Sequence, residues 1–76
     1  MPAITPEYKF LLDPAVPPAS GIQYIGFCQP NTLTAENTWA IMRLTYVSSE
    51  ISEVLWASGT NQFTRIWDDR ASYTYS

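Results

Sequence analysis

Two alternating runs joined by a short polar link set the tightest limit on how this chain folds. In the first, Ala40, Met42, Leu44 and Tyr46 fall on one parity and Trp39, Ile41, Arg43, Thr45 and Val47 on the other. In the second, Ile51, Leu55 and Ala57 alternate against Val54 and Trp56, and Ser48-Ser49-Glu50 joins the two runs. Successive strand residues face opposite sides, so the spacing predicts a β-hairpin with its corner over Tyr46–Ile51. Both parities are apolar. Such a hairpin must be covered on two sides or packed against another subunit.

The rest of the chain supplies little else to cover it. "GIQYIGFCQP" is β-branched and aromatic up to Pro30, which predicts a strand over Ile22–Cys28. "QPNTLTAENT" carries turn residues, with one helical turn expected over Thr34–Asn37. Gly59 in "SGTNQ" is free to adopt positive φ. Phe63, Ile66 and Trp67 are spaced like a short helical turn, and Ala71, Tyr73 and Tyr75 like a final edge strand. The expectation is a mainly β fold: a small antiparallel sheet of three or four strands with one short helical turn, preceded by an extended Pro-rich N-terminal arm.

The arm covers residues 1–20 and the small β domain residues 21–76. Pro2, Pro6, Pro14, Pro17 and Pro18 each fix φ and remove a donor, which argues against regular structure in the arm. Yet Tyr8, Phe10, Leu11, Leu12 and Val16 are apolar, unlike the residues of a disordered linker. They need a surface to lie on, either their own domain or a neighbouring subunit, and they are the candidate subunit-interface residues. On this reading, removal of residues 1–20 leaves a folded or partly folded domain that no longer joins its assembly.

A chain of 76 residues holds one small core, which is marginal without disulfides, metal or partners. Cys28 is the single cysteine and histidine is missing, so an internal disulfide is excluded and the commonest metal ligand and general base are lacking. Partner chains are the remaining source of stability, and a homo-oligomer is expected. With a net charge of -3 and scattered cations at Lys9, Arg43, Arg65 and Arg70, a nucleic-acid partner is not expected. No signal peptide and no bilayer-spanning stretch is evident, so a membrane is not expected either.

The segment "FTRIWDDRASYTYS" raises the question of chemistry. Adjacent carboxylates such as Asp68 and Asp69 rarely converge on one reacting atom, and a calcium loop needs more oxygen ligands than Asn61 and Gln62 offer. The simpler expectation is a structural turn formed by Trp67, Asp68, Asp69 and Arg70. One aspartate would cap the turn, and Arg70 would pair with the other or with a backbone carbonyl. The abundant aromatics suit a core or subunit interface, with a glycan platform as the alternative. Cys28 reads as a small buried apolar residue, and no serine or threonine has an evident base beside it. Neither enzymatic activity nor a cofactor or metal is expected.

Tyr24-Ile25-Gly26, Trp39-Ala40-Ile41, Ala57-Ser58-Gly59, Phe63 through Arg70 and Tyr75 match a pattern found in small proteins of tailed bacteriophages. In outline that pattern is Tyr-Ile-Gly-x-Ala, Pro-Gly-Thr, a Trp-x-Ile-x-Arg/Lys strand, an Ala-Asp-Gly turn, Phe-x-x-x-Trp-Asp-Asp-Arg and a closing Tyr. The chain resembles this group over roughly residues 22–76. It departs at Cys28, where the pattern has alanine, at Asn31, where it has glycine, and at Ser58, where it has aspartate. Asparagine also tolerates left-handed geometry, so the second departure is mild. The resemblance implies an accessory structural protein of the virion, assembled in the host cytoplasm with other virion structural proteins. The neck, tail or fibre-attachment region is the expected location. The alternatives are a capsid decoration protein and a glycan- or receptor-binding module at a fibre tip.

Overall fold

The computed structural model describes residues 9–76. Four strands, β1 (Lys9–Asp13), β2 (Gly21–Cys28), β3 (Ala40–Val47) and β4 (Glu50–Trp56), form one antiparallel sheet in the order β1-β2-β3-β4. A short 3-10 helix follows over Trp67–Ser72. This is the mainly β fold expected from the sequence. The β3–β4 link is tighter than its three polar residues suggest. Only Ser48 and Ser49 lie between the strands, with φ of 51° and 67°. Two positive φ values in succession match the twist of a two-residue hairpin, where asparagine and glycine are the usual choices. Here the Ser49 N–H donates to the Ala19 carbonyl at 2.7 Å, which ties the corner to the β1–β2 loop.

β1 corrects the expectation of no regular structure over Lys9–Asp13. Lys9–Asp13 pairs with β2 in register from Lys9 opposite Cys28 to Asp13 opposite Tyr24. The prolines act as boundaries rather than as a ban. Pro14 ends the strand, and the five residues before it contain no proline. The strand lies at the sheet edge, the position that proline-flanked segments tolerate. Tyr8 falls outside the described residues.

Cross-strand partners share a face. Tyr24, Gly26 and Cys28 therefore share the inner face with Ile41, Arg43 and Leu55 of the next strands. Trp39, Trp67, Ala57 and Tyr75 complete a core there with Ile41 and Cys28. Trp39 and Trp67 stack at 5.5 Å, and Gly26 lies beneath both rings. The outer face carries Phe10, Leu12, Ile25, Phe27, Ala40, Met42, Leu44, Val54 and Trp56. A bulge at Thr45/Tyr46 sets Ile51 opposite Tyr46, which brings Ile51 onto the side of Val54 and Trp56 instead of its sequence-parity partner Leu55.

Three local expectations are corrected. Thr34–Asn37 is a bend and turn, with the Glu36 N–H on the Leu33 carbonyl at 3.0 Å, because one loose cap cannot offset the cost of nucleating a helix. The helical turn begins at Trp67 rather than at Phe63, since Arg65 is held extended in a bridge to Trp39. Ala71 belongs to that turn, so the expected closing strand shrinks to one bridge, Tyr75 with Ala57.

A methyl group at Gly26 would lie 2.6 Å from Cζ3 of Trp67 and 2.9 Å from Cε3 of Trp39. Neither indole can retreat without breaking the stack. Gly26→Ala is expected to lower unfolding free energy by about 3 kcal/mol, at the upper end of overpacking costs. Urea denaturation followed by tryptophan fluorescence checks this, and a loss under about 0.5 kcal/mol would show that the indoles are not fixed there.

Candidate functional site

The four residues of the C-terminal turn have separate roles. Trp67 is buried in the core. The Asp68 N–H donates to the Thr34 carbonyl at 3.0 Å, which fastens the turn to the β2–β3 loop. Asp68 and Asp69 are exposed, and the helix start has no side-chain cap, so the expected aspartate cap is corrected. The preceding residue, Ile66, has no polar side chain to cap with. Its N–H instead donates to the Tyr73 hydroxyl at 2.9 Å. Among the described residues no group of three or more Asp, Glu, Cys or His side chains is placed to hold a metal ion.

Arg70 joins this turn to the start of the chain. Its Nη1 donates to the Trp67 carbonyl at 3.1 Å, and its guanidinium lies 4.6 Å over the Trp67 ring. Its acidic partner is neither Asp68 nor Asp69 but Asp13, whose Oδ2 accepts from Nε at 3.0 Å and Nη2 at 2.7 Å. Arg43 lies 5.0 Å over Tyr75 and Arg65 5.7 Å over Tyr73, so every arginine stacks on an aromatic of the C-terminal segment. The Tyr75 hydroxyl donates to the Arg70 carbonyl at 2.6 Å. Burial, with a contribution from Tyr24, pushes that hydroxyl from 10.0 up to about 12, against the opposing pull of Arg43 and Arg70.

The candidate interface residues divide between the two faces. Phe10 and Leu12 lie on the outer face, and Leu11 lies opposite Gly26 on the inner one. Val16, in the β1–β2 loop, is 75% exposed. That loop covers one end of the outer face. The Gln23 amide donates to the Pro14 carbonyl at 2.9 Å and accepts from the Tyr46 hydroxyl at 2.8 Å. Gln23, Leu44 and Tyr46 are buried as a result.

Among the described residues nothing covers the remainder of the outer face, and its side chains are uncharged. Phe10, Phe27 and Trp56 form an aromatic row, with ring centres 6.5 and 6.2 Å apart, passing over the buried methyl of Ala40. Phe10 is 61% exposed, Val54 50% and Ile51 52%. Ile25, Met42 and Trp56 are half-buried.

A cleft of about 250 Å³ lies at the end of β1 and β2, lined in part by Lys9, Phe10, Cys28, Thr32 and Trp39. Burial pushes the Cys28 thiol up, against a hydrogen bond with Thr32 and the charge of Lys9, so it is a poor nucleophile. The aromatics considered for a glycan platform are largely internal, with Trp39, Trp67, Tyr46 and Tyr75 all buried.

Sequence reasoning missed Asp13 and Gln23. The signal for Asp13 was weak: an acid before proline at the end of an apolar run, 57 residues from its partner. Gln23 stood out only as a polar residue on an otherwise apolar parity. Comparison with protein-family models, curated proteins and solved structures gave no match.

The Asp13–Arg70 pair is partly exposed, at 49% and 27%, so its ionic part is weak. Asp13→Asn is expected to cost under about 1 kcal/mol. Arg70→Ala should cost about 1–2 kcal/mol, because it also removes the carbonyl hydrogen bond and the stacking on Trp67. Equal losses in chemical denaturation would overturn this division.

Tyr75 gives a pH signature. Its folded-state pKa lies above the unfolded value, so its stabilisation is complete below pH 10 and is lost as pH rises from 10.0 to about 12. The loss should not exceed about 2 kcal/mol. Tyr75→Phe should flatten that part of the stability curve relative to the parent chain. An identical alkaline limb in both would rule out this assignment.

Proposed function

We propose that this chain is an accessory structural protein of a tailed-bacteriophage virion, acting as an oligomeric part of the neck, tail or fibre-attachment region. The reading rests on the sequence resemblance. The observation that supports it best is the open outer face, an uncharged apolar surface spanning all four strands of a 76-residue chain. Surfaces of this kind mark association sites. The residues that carry the resemblance also have structural duties: Gly26 lies under two stacked indoles, Trp39 and Trp67 form the stack, Gly59 has φ of 70° and Arg70 pins the turn. The motif residues that carry the resemblance are thus occupied in holding the chain together. On this reading the partners are other virion structural proteins and copies of the same chain, joined in the host cytoplasm.

The arm enters this reading in a revised form. Phe10 and Leu12 act as members of the outer face rather than as a free tether. Loss of residues 1–20 removes β1, the Asp13 partner of Arg70 and the Pro14 carbonyl that Gln23 uses. Such a truncation is now expected to destabilise the domain, whereas loss of residues 1–8 leaves every described contact in place.

Quantitative mass spectrometry of purified particles tests the placement. A symmetric ring in the neck or tail requires roughly a few to tens of copies per particle. A count on the order of hundreds would assign the chain to capsid decoration, because a shell offers that many equivalent sites. Absence from washed particles would overturn the virion reading.

A further inference from the structure

We infer that the outer face of the sheet pairs with the same face of a second copy, forming a two-fold, sheet-on-sheet dimer. The surface is defined by Phe10, Leu12, Ile25, Phe27, Met42 and Trp56, extended along β4 by Val54 and Ile51. None of these side chains is ionised, so two such faces meet with no like charges opposed. Meanwhile the exposed acids Glu50, Glu53, Asp68 and Asp69 lie at the β4 edge or on the C-terminal turn. A partner recognised by charge would need complementary groups on this face, and the described residues place none there.

Size also favours a second copy. Four strands about 4.8 Å apart and roughly six residues at about 3.3 Å give a flat footprint near 400 Å² per copy. A pair therefore buries about 800 Å², and more once side-chain relief is included, which is below stable specific interfaces and in the range of weak, transient ones. An area of that size fits a weak, reversible dimer and is too little for an obligate one. Residues 1–8 contain three large apolar residues, Met1, Ile4 and Tyr8, against the eight on the face. The Pro14–Ser20 loop, seated against Gln23 and Ser49, restricts the second copy to the open end of the face. There the two sheets can approach to about 10 Å with their side chains interleaved.

The inference rests on reading the face as an assembly surface and not on its location in a particle. Sedimentation velocity of the full chain between about 2 and 200 µM should show a monomer–dimer shift at tens of micromolar. The double variant Phe10→Glu, Val54→Glu alters only side chains half or more exposed and sets like charges against one another in the pair. It should keep its β circular dichroism and stay monomeric throughout.

A second measurement guards against misfolding of that variant. In a Cys28→Ala background, Met42→Cys should be linked into dimers by a short bis-maleimide at least tenfold faster than Asp69→Cys on the C-terminal turn. A monomeric parent chain, a dimer that survives the double variant, or equal cross-linking rates would overturn the proposal. So would a dimer that appears only after deletion of residues 1–8, since that segment would then be the native cover. A monomer found in washed particles would sink this inference and leave the virion reading standing. A dimer missing from particles would do the reverse.

Discussion

The stack of Trp39 on Trp67 over Gly26 is the contact on which the rest of the fold depends. A single four-stranded sheet is stable only if at least one face is covered, and among the described residues there is no long helix to provide the cover. It uses a short irregular segment instead. The segment's large aromatics, Trp67, Tyr73 and Tyr75, bury enough area to act as a layer. Gly26 creates the space for that layer. A side chain on the central strand β2 would lift the indole away and expose Ile41, Ala57 and Cys28 beneath it.

Around that contact, polar groups fasten irregular backbone at points where no ladder can. The Trp39 indole N–H reaches the Leu33 carbonyl at 3.0 Å, the Tyr73 hydroxyl accepts the Ile66 N–H and the Tyr75 hydroxyl serves the Arg70 carbonyl. These aromatics therefore contribute both apolar area and a polar end that satisfies the coil passing over them. The three arginines above their rings add cationic stacking. With Arg43 on the inner face of β3 and Arg65 and Arg70 on this segment, none of the three lies on the outer face.

Much of the sheet was legible in the sequence because period-2 alternation reports directly on which side chains share a face. The β3 parities, Ala40 through Tyr46 against Ile41 through Val47, are the faces observed. Where alternation was interrupted, legibility failed. Ile51 was assigned by parity, but a bulge shifts it, and no single residue in "SSEISE" announces a bulge. Asn31 did declare its geometry, since its φ of 67° is one that asparagine accepts. Ser48, Ser49 and Ser58 adopt the same region without such a signal. The proline count hid β1, because the informative feature was the proline-free interval Lys9–Asp13 and not the number of prolines around it. The Trp67 carbonyl met the expected backbone partner of Arg70, but its acidic partner was illegible for a different reason. A contact spanning nearly the whole chain leaves no local pattern in either member.

The division of labour between a local sheet and a distant cover bears on how the molecule reaches its native state. Each strand pairs with its neighbour in sequence, so the meander has short loops to close and can form early. The cover joins residues far apart, as Asp13 to Arg70 and Tyr24 to Tyr75 illustrate, and its closure entropy is met last. Until then both sides of the sheet are apolar and bare. The transient species is stickier than the finished molecule, and the contest between docking of the last segment and collision with another chain depends on protein concentration. Refolding yield should therefore be governed less by the strands than by how quickly Trp67 finds the hollow above Gly26.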